Sequence, residues 1–157
     1  MPAFPKALKT LELTEFYLPQ NHLRNCFSEG LKSLTMHIGK GFDLPNFDVT
    51  GLPLSLEHLE ISAPVPVVGW DSFALHSQLR VLKVRSDGAS VNLEALPLTL
   101  QKLDVVRHGV DSHVEVLGRL DRFPALFSVH MCFPGCKRVA ATCIQGGVDV
   151  SADEPME

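Results

Sequence analysis

The residues best equipped for chemistry lie near the C-terminus, where His130, Cys132, Cys136 and Cys143 make the pattern H-x-C-x3-C-x6-C. Three thiolates and an imidazole can complete a tetrahedral zinc site, and a metal there would staple the end of the fold. This spacing matches no common zinc module and lacks the paired C-x2-C knuckle. No metal or other cofactor is therefore assigned, and a metal-stapled or thiol-reactive module stands as the alternative reading. Catalytic signatures are missing as well. The chain holds no G-x-S-x-G elbow and no H-E-x-x-H helix. Gly39-Lys40-Gly41 lacks the earlier glycine and the following Ser or Thr of a phosphate loop. His22, His76, His108 and His113 fall in connections, with no carboxylate and nucleophile placed to work with them. A non-enzymatic role is expected.

Charge narrows the partners. The formal net charge is −4, which gives no global drive toward nucleic acid or an anionic membrane. Arg80, Lys83, Arg85, Lys102 and Arg107 form a small basic cluster without aromatic residues to stack bases, so nucleic acid is disfavoured. Apolar runs are short and broken by proline or charge, which argues against a membrane span. The N-terminus, MPAFPKALKT, does not read as a secretory signal. With four cysteines and no paired spacing, a reducing, cytoplasmic setting is expected.

The elements that must position these residues are set by leucine. All 23 leucines lie at or before Leu126. A pattern of leucine, two variable residues, leucine, one variable residue and an aliphatic residue recurs as LKTLEL, LKSLTM, LEHLEI, LRVLKV, LQKLDV and LFSVHM. The leading leucines are Leu8, Leu31, Leu56, Leu79, Leu100 and Leu126, spaced by 23, 25, 23, 21 and 26 residues. Pro5, Pro53 and Pro97 precede the leading leucine by three residues, and Pro124 precedes it by two. Proline fixes φ and cannot donate to a ladder, so it suits the turn entering a strand. Within each copy the alternation of apolar and polar residues predicts a strand with one buried face. Leu23, Cys26 and Phe27, and again Val116, Leu117 and Leu120, follow helical spacing. APVPVVGW and DGASVNLEALP suit extended turns or 3₁₀ helix, with Trp70 packed against Phe73 on the convex side.

The chain resembles the leucine-rich repeat proteins, on six copies that extend to about residue 134. The resemblance implies an α/β solenoid with a curved parallel sheet on its concave side and short helical, 3₁₀ or irregular connections on its convex side. It also implies a protein partner bound on the sheet. The family's usual Asn or Cys, five residues after the second leucine, is replaced by Phe16, Gly39, Pro64, Asp87, His108 and Pro134. A continuous asparagine ladder is thus absent, and the connections must satisfy their buried carbonyls otherwise. Residues 1–134 are read as the repeats, 135–148 as a capping segment and 149–157 as an acidic tail without fixed structure. The first repeat leaves no room for an N-terminal cap. That end is expected to be covered by a partner or by end-to-end stacking with a second copy, or the chain is a piece of a larger receptor or adaptor.

In this register the outward residues form three columns. The first is Thr10, Ser33, His58, Val81, Lys102 and Ser128; the second is Glu12, Thr35, Glu60, Lys83, Asp104 and His130; the third is Thr14, His37, Ser62, Arg85, Val106 and Cys132. The expected partner-binding residues are Glu60, Lys83, Arg85, Lys102 and Asp104, in a scaffold or interaction module.

Overall fold

In the computed structural model, residues 4–15, 26–40, 45–87, 91–107, 116–117, 119–132 and 149–151 are described. The principal sheet has seven parallel strands. Six of them are the repeats: β1 (Thr10–Thr14), β2 (Ser33–His37), β4 (His58–Ala63), β6 (Val81–Ser86), β8 (Lys102–Arg107) and β10 (Ser128–Cys132). They follow one another across the sheet in chain order, so each turn of the chain returns to lie beside the last. The protein is a parallel-sheet solenoid with little helix.

The connections carry smaller elements. β3 (Phe47–Asp48) pairs with β5 (Val67–Val68), and β7 (Val91–Asn92) with β9 (Val116–Leu117), each pair parallel. Between them run the 3₁₀ helices η1 (Trp70–Leu75), η2 (Leu93–Ala95) and η3 (Leu120–Arg122). No α-helix occurs among the described residues, which leaves the expected α/β character unsupported. The helical spacing of Val116, Leu117 and Leu120 resolves instead into a short strand and a 3₁₀ turn. The two residues pair with the backbone of Val91–Asn92, and β-branched Val116 favours the extended form. Cys26 and Phe27 lie in a turn and bend.

Why the repeats share one shape is visible in their turns. The N–H of every leading leucine donates to the carbonyl three residues earlier: Leu8 to Pro5, Leu31 to Ser28, Leu56 to Pro53, Leu79 to His76, Leu100 to Pro97 and Leu126 to Phe123, at 3.0–3.4 Å. That position must accept but need not donate, so proline fits it. The residue after each leading leucine then offers a forked carbonyl. Lys9 accepts from Lys32 and Ser33, Lys32 from Glu57 and His58, Glu57 from Arg80 and Val81, Arg80 from Gln101 and Lys102, and Gln101 from Phe127 and Ser128. Each strand is thereby locked to the next at the same residue.

Hydroxyls also bond to backbone carbonyls at several turns. Ser28 Oγ donates to the Leu8 carbonyl at 3.3 Å, Ser55 Oγ to Leu31 at 2.7 Å and Thr99 Oγ1 to Leu79 at 2.8 Å. Arg122 does the same on the far side, donating to the carbonyls of Leu93 and Leu96. A buried carbonyl left without a donor would be destabilising, so these contacts help satisfy the backbone of the turns and connections.

The core is one continuous stack between the sheet and the connections. Leu34, Leu59, Leu82, Leu103 and Val129 line its centre from the sheet, while Phe47, Val67, Phe73 and Leu93 close it from the connections. Burying each such side chain contributes about 1.5–3 kcal/mol. Trp70 and Phe73 meet edge to face at 5.4 Å, and the indole N–H donates to the Val67 carbonyl. At the turn before η1, Gly69 has φ 84°, and a side chain there would press within 2.7 Å of Asp48 Oδ1. Leu8, Leu11 and Leu13 in the first repeat are only partly buried.

The C-terminal boundary differs from the expectation. β11 (Asp149–Ser151) joins the sheet as its last strand, pairing Ser128 with Asp149 and His130 with Ser151. Three residues assigned by composition to a tail without fixed structure therefore adopt the extended form beside β10. The proposed capping segment, 135–148, lies outside the described residues. Among the described residues no helix is long and apolar enough to cross a membrane.

Candidate functional site

The outer face of the sheet is built by the pleat. When Leu82 and Val84 point into the core, Val81, Lys83 and Arg85 must point out. The forked carbonyls hold all six repeat strands in one register, so the outward residues line up across the sheet. His58 stands beside Val81 and Val81 beside Lys102; Glu60 beside Lys83 and Lys83 beside Asp104; Ser62 beside Arg85 and Arg85 beside Val106. His130 stands beside Asp104. The columns read from the sequence are the columns of the sheet.

Within the central column the charges resolve into two pairs. Lys83 Nζ lies 3.5 Å from Glu60 Oε2, and His130 Nδ1 lies 2.9 Å from Asp104 Oδ1. Since a carboxylate oxygen only accepts, His130 holds its proton on Nδ1 in either charge state. A third pair sits one row earlier, at the strand entrances: Lys32 Nζ reaches Glu57 Oε1 at 2.9 Å and Gln78 Oε1 at 2.8 Å. The Lys32 contact holds the Glu57 carboxyl below its ordinary pKa, with Arg80 adding to the effect through space. His58 is pushed below its ordinary value by partial burial first and then by Lys83 and Lys102, against the pull of Glu60.

No family model, curated protein or solved structure matches this chain. The face must therefore be judged on its own chemistry. On it hydroxyls stand beside imidazoles, Ser33 beside His58 and Ser62 beside His37, while Lys83 pairs with Glu60 and His130 with Asp104. Among the described residues no group of three or more His, Cys, Asp or Glu side chains could hold a metal ion. Of the four residues weighed for zinc, only His130 has a described side chain, and it is committed to Asp104; Cys136 and Cys143 lie outside the described residues. Cys26 is buried and forms no disulfide.

Two features escaped the sequence reading. One is the row at the strand entrances, where Lys32, Glu57, Gln78 and Arg80 extend the charged surface beyond the strands. Its signal was available, since the residue after each leading leucine is Lys9, Lys32, Glu57, Arg80, Gln101 or Phe127 and all but the last are hydrophilic. The other is His76, which is fully buried in a turn where two neighbouring repeats carry Pro53 and Pro97. Its Nδ1 lies 3.0 Å from the Ser72 carbonyl and its ring packs on Phe73 at 5.8 Å. Burial pushes its pKa down, only partly offset by the Ser72 and Leu52 backbone.

Proposed function

We propose that this chain is a divergent leucine-rich repeat protein and works as a non-enzymatic protein-interaction module or scaffold. Its partner lies along the outer face of the sheet, in the cytoplasm, and Glu60, Lys83, Arg85, Lys102 and Asp104 carry the recognition. The observation that carries this reading is the common register of the outer columns. It gathers charged residues from four consecutive repeats onto one surface, although exposed pairs such as these contribute only about 0.2–1 kcal/mol each to stability. Extended repeat arrays use such surfaces for binding. The compartment rests on cysteine usage, four cysteines without the paired spacing of a C-x2-C knuckle. End-to-end association of two copies through β1 is part of the proposal, because Leu11 and Leu13 keep partial exposure there.

The test is a pull-down from cell lysate with the tagged chain beside the Lys83→Glu/Arg85→Glu double variant, with circular dichroism on both. A partner retained by the wild type and lost by the folded variant supports the reading. A folded variant that retains every partner removes this face from consideration.

A further inference from the structure

We propose that the segment bound on this face is an extended acidic peptide, with two carboxylates about four residues apart and an aliphatic residue between them. The inference rests on the outer face being the working face and goes further by naming what it takes.

Lys83 is engaged by Glu60, Asp104 by His130, and Lys32 by Glu57. Arg85, near the exit of β6, and Lys102, at the entrance of β8, pair with no carboxylate among the described residues. Arg80 stands exposed beside Lys102, since its carbonyl accepts the Lys102 N–H. The centre of the face thus presents two separated points of positive charge. Register sets their spacing: Lys102 is opposite Val81, and Arg85 is opposite Val106. Four residues along a strand and one strand across amount to about 14 Å. An extended peptide covers that distance in about four residues.

Between the two points the surface is not uniformly polar. Val81 and Val106 are half-buried valines on the outward side, at opposite corners from the two cations. They offer an aliphatic side chain a dry contact, which a purely ionic ligand would leave unused. Asp104, paired with His130, lies in the row between the cations beside Lys83, and Glu60, paired with Lys83, lies one strand further out. A nucleic-acid strand, with a charge at every nucleotide, would set phosphates against them, whereas a peptide can place uncharged residues there. Charge complementarity therefore favours the peptide.

The experiment uses the full chain and fluorescence anisotropy at low salt. The probe is a fluorescein-labelled ten-residue peptide with two glutamates four positions apart and valines between, run with its glutamine and lysine counterparts and a labelled oligouridylate. The glutamate peptide is expected to bind at least tenfold more tightly than the glutamine one. Arg85→Glu/Lys102→Glu should lose it and gain at least tenfold for the lysine peptide. Arg85→Gln/Lys102→Gln, a milder change, should lose the glutamate peptide without that gain. Equal binding of the glutamine peptide, tighter binding of the oligouridylate, or a charge-reversed protein that keeps the glutamate peptide would each overturn the inference. If the wild type ignores the glutamate peptide yet captures a partner from lysate that Lys83→Glu/Arg85→Glu loses, the acidic-peptide inference fails and the interaction module stands. If neither is seen, both fail.

Discussion

Leu82 and Lys83 are neighbours on one strand, share its register and its ladder, and live in different worlds. Leu82 is completely buried, with Leu59 and Leu103 beside it. Lys83 stands on the outer side, paired at 3.5 Å with Glu60 and open to solvent. The two faces of the sheet differ in this way from β2 to β10. The first two inner columns are aliphatic or Met in every repeat and the third holds Ala63, Ser86 and Arg107, while the outer columns hold hydroxyls, imidazoles, acids, bases and two valines. The inner face is interchangeable from turn to turn and therefore says nothing about a partner. The outer face differs at every turn, which is what the proposed recognition of a partner requires.

The sharpest way to break this contrast is to remove one side chain from each face. Leu82→Ala should cost about 2–5 kcal/mol in a urea melt, since the cavity it leaves is enclosed on both sides by other repeats. A cost below about 0.5 kcal/mol would mean that the inner face is not packed as described. Leu11→Ala, at the partly exposed β1 layer, should cost about 1–2 kcal/mol, in proportion to the smaller area it removes from water. Acid should act on the inner side too. Burial holds the folded-state pKa of His76 below the ordinary 6.5, so the unfolded chain takes up the proton first as pH falls. Stability present above about pH 6.5 should decline on acidification, and His76→Leu should reduce that decline in denaturation midpoints measured at pH 7 and pH 5. Thr99→Val keeps the shape but strips the Leu79 carbonyl of its donor, at about 1 kcal/mol. Smallest of all, Lys83→Ala should change stability by about 0.2–1 kcal/mol, the ordinary range for a surface pair. If it costs as much as Leu82→Ala, the two faces are not the different things described here.

How much of this could be read from the residues follows the same division. A leading leucine followed at fixed offsets by two more inward residues sets both the strand and its phase, so the strands, their order and the three outward columns were all legible. Proline three residues before the leucine marked the turn. The connections were harder. Val116, Leu117 and Leu120 have helical spacing, but a two-residue pairing with Val91–Asn92 needs no periodicity to announce it. β11 was hidden for a similar reason: Asp149–Ser151 is held by the backbone of β10, and its acidic surroundings masked a strand of three residues. On the outer face, position was legible but partnership was not. Lys83 has a carboxylate on either side, Glu60 and Asp104, and rotamer geometry gives it to Glu60 and leaves Asp104 to His130.

The forked carbonyls carry a consequence for how such a molecule can change. Lys9, Lys32, Glu57, Arg80 and Gln101 hold successive strands together through backbone oxygen alone. The most heavily used joint in each turn thus asks nothing of the side chain it belongs to. Substitutions there are free to redraw the rim of the outer face without loosening the coil. A lineage, or an experimenter, could vary the surface at those five positions while the architecture stays fixed.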